Sequence, residues 1–138
     1  MVKDITMQQQ GLDNQLRELF ARFPQITLVV LFGSMASGSY REDSDLDIAV
    51  SAQSLLSQEE KIALVSALAE STGRAIDLID LSTVTEPLLG QIVQHGRRIL
   101  GSDTLFGQLI YRHLIEQADF MPYQARLLAE RREAWIGK

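Results

Sequence analysis

The sequence predicts a small α/β domain, a mixed sheet with flanking helices, followed by a C-terminal helical tail. Short β-branched runs alternate along the chain with segments whose apolar residues recur at helical spacing. At 138 residues and 46% hydrophobic composition, the chain can build one core, burying roughly two-thirds of its unfolded surface without disulfides or a structural metal. No internal repeat, low-complexity tract or linker divides it. A single domain over 1–138 is therefore expected, with a core at about 11–100 and the tail at about 103–136.

Each element has its own signal. Leu12, Leu16, Leu19, Phe20 and Phe23 mark one face of a first helix, which Pro24 ends. The run Ile26 to Phe32 is a compact, buried strand. Gly33 to Ser44 is rich in Gly, Ser and polar residues and reads as a loop with room for a helical turn. Asp45 to Ser51 reads as a second strand, acidic on one face at its start and apolar on the other. Ser57 and Glu60 have capping-box spacing, and the helix they open is expected to turn Ile62, Val65, Leu68 and Ala69 inward and to stop near Gly73. Ala75 to Leu81 is a third strand, whose alternation sets Asp77 on the face of Ala75, Ile79 and Leu81, and Asp80 on the other with Ile76 and Leu78. Thr85-Glu-Pro87 opens a helix burying Leu88, Leu89, Ile92 and Val93, with Gly96 beyond its end. Arg97 to Leu100 is a short extended segment, and from Asp103 to Trp135 the pattern is helical, with an interruption expected at Pro122.

Composition excludes several chemistries. There is no cysteine, so thiolate zinc sites, thiol nucleophiles and disulfides are out. The net charge is −5 and no basic block is present, which disfavours a nucleic-acid substrate, because non-specific affinity comes from Lys and Arg neutralising phosphates. The polar start Met1-Val2-Lys3-Asp4 does not resemble a signal peptide. The longest apolar run, Ile26 to Phe32, is far too short to span a bilayer. A soluble, cytoplasmic protein without membrane contact is the expectation.

The chemistry is concentrated between the first two strands. A buried strand runs into Gly33-Ser34, ten residues intervene, and a second strand opens with Asp45-Leu-Asp47. Carboxylates two apart on a strand point the same way, about 6.6 Å apart along the chain, and repel unless a cation neutralises them. Hard divalent ions prefer oxygen ligands, and carboxylates at this spacing can serve two ions. Gly33 lets a phosphate chain approach the backbone, and Ser34 adds an amide and a hydroxyl donor. An anion cradle and a metal pair in one short segment describe a nucleoside triphosphate site. Asp77 is the third acid, since a charged residue inside an apolar strand is costly unless paired or metal-bound. If its strand lies beside the second, Asp77 can meet Asp45 and Asp47, bind the catalytic ion and take the acceptor's proton.

Gly-Ser, ten residues and Asp-x-Asp resemble the signature of the polymerase-β-type nucleotidyltransferase superfamily, over a core of about Ile26 to Leu81. The length and layout resemble its minimal branch, the MNT antitoxins encoded beside HEPN-domain toxins, and the tail does so more loosely. The resemblance implies a nucleotidyltransferase-like fold, Gly33 and Ser34 holding the triphosphate of ATP, and Asp45 and Asp47 binding Mg²⁺, two ions in all, with Asp77 completing the triad. It also implies a function: an antitoxin that transfers AMP to a tyrosine hydroxyl of a HEPN ribonuclease, forming a hetero-oligomer with it. Two alternatives stand beside this. One is a non-catalytic module that blocks the toxin by covering it; the other is transfer to a small-molecule hydroxyl, for which a chain of this length has few walls to spare.

Other conspicuous residues have ordinary readings. Arg41 in the loop needs no phosphate to explain it, Ser37 and Ser39 read as loop residues, and Tyr40 as a partly buried aromatic. Arg97-Arg98 reads as a solvated pair and Asp80 as an exposed strand end. His95 sits near a helix C-terminus, where a cation is favoured, and His113 has no neighbouring ligand residues. Met121, Pro122, Tyr123 and Trp135 read as packing or tail docking. Arg126 to Glu133 reads as a solvated face with local ion pairs.

Overall fold

A computed structural model of the protein describes residues 2–136, without the side chains of residues 2–6, 120–122, 124 and 133–136. The elements run α1 (Val2–Phe20), β1 (Ile26–Phe32), α2 (Ser34–Ser37), β2 (Leu46–Ala52), α3 (Gln58–Thr72), β3 (Ile76–Asp80), α4 (Leu88–His95), β4 (Arg97–Leu100) and α5 (Asp103–Ile136). The four strands form one sheet in the order β3-β2-β1-β4. β1 is antiparallel to both β2 and β4, whereas β2 and β3 are parallel. That mixture follows from the connections. A parallel pair needs a crossover, which α3 supplies between β2 and β3.

β1, apolar except at the half-buried Thr27, takes an inner place in the sheet and is buried on both faces. Strand alternation divides the core in two. Val29, Leu31, Leu46, Ile48 and Val50 pack with Leu16, Leu19 and Phe20 of α1 and Leu64 and Leu68 of α3. Leu28, Val30, Phe32, Ala49 and Leu81 pack on the other face with Leu89 and Ile92 of α4 and Leu109 of α5. The Ser57–Glu60 capping box forms as expected, with Glu60 N donating to Ser57 Oγ and Ser57 N donating to Glu60 Oε1, each at 3.1 Å.

Three expectations are corrected. Ile62 is exposed at 58%, while Leu64 is fully buried, because α3 carries apolar residues around much of its circumference and docking chooses the face. The interruption expected at Pro122 is not seen: α5 runs unbroken from Asp103 to Ile136. A proline there removes one amide donor at a cost of about 3 kcal/mol, and the flanking turns continue. Tyr123 is exposed, with the Arg126 guanidinium 5.6 Å from its ring, and is not core. The packing expected of Met121, Pro122 and Trp135 lies outside the described side chains. No helix among the described residues is long and apolar enough to cross a membrane.

Candidate active site

The β1–β2 connection, residues 33–45, is where the hairpin departs from a tight turn. It is longer than the few residues an antiparallel pair needs, which marks it as a loop with work to do. At its first residue Gly33 has φ 70° and ψ −156°, a combination open essentially to glycine alone. A Cβ on Gly33 would fall 2.2 Å from Asp47 Oδ2, so the backbone there passes directly beside the carboxylate. One turn of helix, α2, follows, with Ala36 N and Ser37 N both donating to Gly33 O. Neither the Ser34 nor the Met35 amide has an acceptor among the described residues, leaving two donors next to that glycine.

Register brings the acids together. Asp47 is the partner of Phe32 on β1 and of Asp77 on β3. Both carboxylates rise from the face packed by α4 and α5, as the alternation of their strands requires. The Asp47 carboxyl is pushed above the ordinary carboxylate value of 3.8, first by burial, then by the Asp77 charge and a side-chain contact with Asp77, with a further push from Asp45. Asp45 itself lies one residue before β2 and is exposed. A cavity of about 450 Å³ opens over these groups, lined by Phe32, Gly33, Ser37, Asp47, Asp77, Gln91 and His95. Of the acids expected in the site, Asp47 and Asp77 line it directly, while Asp45 acts on it through its charge.

No three or more Asp, Glu, His or Cys residues among those described form a ready-made metal cage. The donor set nonetheless suits a hard divalent ion. Mg²⁺ keeps several waters and is usually held by one or two carboxylates together with substrate phosphates. Two mutually repelling carboxylates beside a backbone open to phosphate are that kind of half-site.

Several residues that position the site gave no local signal. Gln91 and His95, four apart on α4, share the helix side that faces the cavity. Arg97 is not a solvated residue: its Nε and Nη2 donate to Asp13 at 3.0 and 2.9 Å, and its Nη1 donates to Ala36 O at 2.7 Å. It thereby ties α2 to α1. Arg98 is also engaged, donating to Asp103 at 2.8 Å and lying 5.2 Å from the Phe106 ring. Arg74 Nη1 donates to the carbonyls of Arg41, Glu42 and Ser44 at 2.8, 3.2 and 3.0 Å, while its guanidinium stacks on Tyr40. One arginine thus holds each end of the loop that presents the site.

The rest of this face is closed by a buried acid–base pair. His113 Nδ1 lies 2.5 Å from Glu86 Oε1, joining α5 to the segment before α4. Gly90 allows that approach, because a Cβ there would come within 2.9 Å of both Glu86 Oε2 and His113 Cε1. On the opposite face Asp80, expected to be exposed, is instead paired: Lys61 Nζ is 3.4 Å away and the carboxylate side chain is 12% exposed.

The family model "Polymerase beta, Nucleotidyltransferase" matches residues 14–105. The chain is 32% identical over 114 residues to the protein adenylyltransferase MntA of Shewanella oneidensis, covering 78% of this chain and 82% of that protein. A chain in a crystal structure of a toxin–antitoxin with AMP-PNP superposes with a TM-score of 0.71 at 26% identity, covering 89% of this chain and 98% of that one. A chain in the complex of a tri-AMPylated Shewanella oneidensis HEPN toxin with its MNT antitoxin gives 0.68 at 25% identity, covering 92% and 98%.

Proposed function

Since the chain belongs to the polymerase-β nucleotidyltransferase family, we propose that it is an antitoxin that transfers AMP from ATP to a tyrosine hydroxyl of a cognate HEPN ribonuclease toxin. The observation that carries this reading is the pairing of Asp47 with Asp77 in register on adjacent strands, beside a glycine whose Cβ would strike Asp47. Two like charges so placed cost stability and make sense as a site for cations and a polyphosphate.

Each residue then has a task. Gly33 leaves the backbone open to the triphosphate, and Ser34 offers its amide and hydroxyl. Asp45, Asp47 and Asp77 would hold the two Mg²⁺ ions. When bound, the ions supply neutralising charge at the attacking and leaving oxygens. Asp77 takes the proton from the tyrosine hydroxyl as its oxygen bonds to the α-phosphorus. The bond from that phosphorus to the bridging oxygen breaks, and pyrophosphate leaves. Arg74 and Arg97 keep the loop in place while this happens. The acceptor is a protein and no nucleic acid contact is needed; the reaction belongs in the cytoplasm, where ATP and the toxin are both present.

The reading is tested by incubating the protein with labelled ATP, Mg²⁺ and its HEPN partner, then mapping the adduct by mass spectrometry. AMP on a tyrosine is the expected result. A partner that stays unmodified yet is bound and neutralised would replace transfer with simple coverage of the toxin.

A further inference from the structure

The acceptor has to reach Asp77, and Asp77 sits on a strand with an open side. β3 is an edge of the sheet. Ala75 O accepts from Leu46 N at 2.8 Å, and Leu81 N donates to Val50 O at 2.9 Å. In a strand, the amide and carbonyl of one residue point to the same side and alternate from residue to residue. The odd-numbered residues of β3 therefore face β2, and Ile76 and Leu78 turn their N–H and C=O groups outward. No backbone group among the described residues meets them. Side-chain burial agrees. Leu46, Ile48 and Val50 of β2 are fully buried, whereas Ile76, Leu78 and Ile79 of β3 are only half-buried.

Beside this edge lies a second cavity of about 520 Å³, between the start of α3 and the start of α4. Leu56, Val84, Pro87 and Leu88 give it apolar walls, and Lys61 and Thr85 also line it. It reaches β3 at Leu78 to Asp80, while the catalytic cavity reaches the same strand at Asp77. A strand of five residues spans roughly 17 Å, so one extended segment laid along it touches both.

We propose that the free edge of β3 and the adjoining cavity form the docking surface for the acceptor polypeptide, which joins the sheet as an extended strand with its hydroxyl beside Asp77. This rests on the transfer reading above and adds to it how the acceptor is held. Backbone pairing supplies affinity without regard to sequence, and an apolar side chain lodged in the cavity sets the register. The occupant is a segment of the toxin and not a second copy of this chain. Pairing two β3 edges would lay strands bearing Asp77 and Asp80 side by side, and like charges across a strand pair are unfavourable.

The test uses the purified HEPN partner with the full-length protein in its Asp77→Asn form, so that the complex does not turn over. Amide hydrogen exchange at Ile76 and Leu78 should slow on adding the partner, while amides facing β2 change little. Made in the active protein, with Asp77 intact, Thr85→Arg, at an exposed position on the cavity wall, should raise the KM for the partner at least tenfold and leave ATP affinity unchanged. Leu78→Pro removes one outward N–H and should do the same; Thr85→Arg keeps the proposal open to refutation if the proline variant fails to fold. Normal AMP transfer with no protection at Ile76 and Leu78 would overturn the docking surface. So would protection that depends on the concentration of this chain alone. Protection by the partner without any AMP transfer by the wild type would uphold the docking surface and sink the transfer reading.

Discussion

Asp77 and Asp80 stand three residues apart on one short strand and meet opposite surroundings. Asp80 faces α3, where Lys61 Nζ lies at 3.4 Å and the Ser82 hydroxyl and amide both donate to it, at 2.7 and 2.9 Å. Asp77 faces the α4 side, where the group in register with it is another carboxylate, Asp47. The same contrast extends across the sheet. On the α1 side Asp13 receives two donors from Arg97. On the α4 side the buried Glu86 carboxylate has a basic partner, His113, whereas Asp47 is half-buried and Asp77 is exposed. A fold that gives Asp80, Asp13 and Glu86 partners leaves Asp47 and Asp77 to face each other. That unresolved repulsion separates a site from a structural ion pair, and neither residue type nor burial alone would have made the distinction.

The contrast breaks most sharply at Asp77. Asp77→Asn keeps the shape and one ligating oxygen but loses the charge that the proposed mechanism uses as its base, so AMP transfer should fall at least about 10²-fold while ATP still binds. Single-turnover assays with the HEPN partner, alongside calorimetric titration with a non-hydrolysable ATP analogue, will check it. Retained transfer would return Asp77 to a structural role.

Gly33→Val should act on both the site and the fold. The backbone conformation costs a branched residue about 1–3 kcal/mol, and the new Cβ would drive the Asp47 carboxylate from its place. Nucleotide affinity should drop at least about tenfold, with a lower urea midpoint. A variant with wild-type affinity would remove the glycine from the phosphate path.

On the paired face, Arg97→Met should cost about 2 kcal/mol in urea unfolding. It leaves Asp13 without its partner, in a pair that is nearly but not wholly buried. Combining it with Asp13→Asn should cost less than the sum of the two single changes.

The smallest effect is a difference of sign with pH. Burial pushes Asp80 up, but the Ser82 hydroxyl and amide and Lys61 outweigh it and hold the group below 3.8. Its stabilisation is therefore present above that value and is lost as pH falls through the lowered one. Asp47 lies above 3.8, so the native state binds more protons than the unfolded state between the two values. Stability from this group then declines as pH rises through that window. In metal-free protein at neutral pH, Asp80→Asn should lower the Tm and Asp47→Asn should raise it. Two shifts of the same sign would end the distinction drawn between the faces.

Much of this was legible in the sequence because it is local. The capping box at Ser57 and Glu60 works within one turn. The alternation of β3 put Asp77 and Asp80 on opposite faces before any neighbour was known. The Gly33-Ser34 to Asp47 spacing is a property of one loop and its two strands. By contrast, nothing near Arg97 announces Asp13, 84 positions away, and nothing near His113 announces Glu86. Arg74 gives no hint that it gathers three carbonyls of the preceding loop.

The sequence by itself determined where strands and helices form, which face each strand turns to the core, and which acids lie at the site end of their strands. Those outcomes depend on periodicity and on backbone conformations that few residues can adopt. Tertiary structure decided which acids are given partners and which are not: Lys61 for Asp80, Arg97 for Asp13, His113 for Glu86, and no Lys or Arg among the described ion-pair partners of Asp47 and Asp77. It also placed Gln91 and His95 over the cavity, chose Leu64 rather than Ile62 for the core, and left one side of β3 without a partner. The physical reason is the same in each case. A side chain's preferences are its own, but the charge, the cavity and the free edge it meets belong to residues brought near only when the sheet closes.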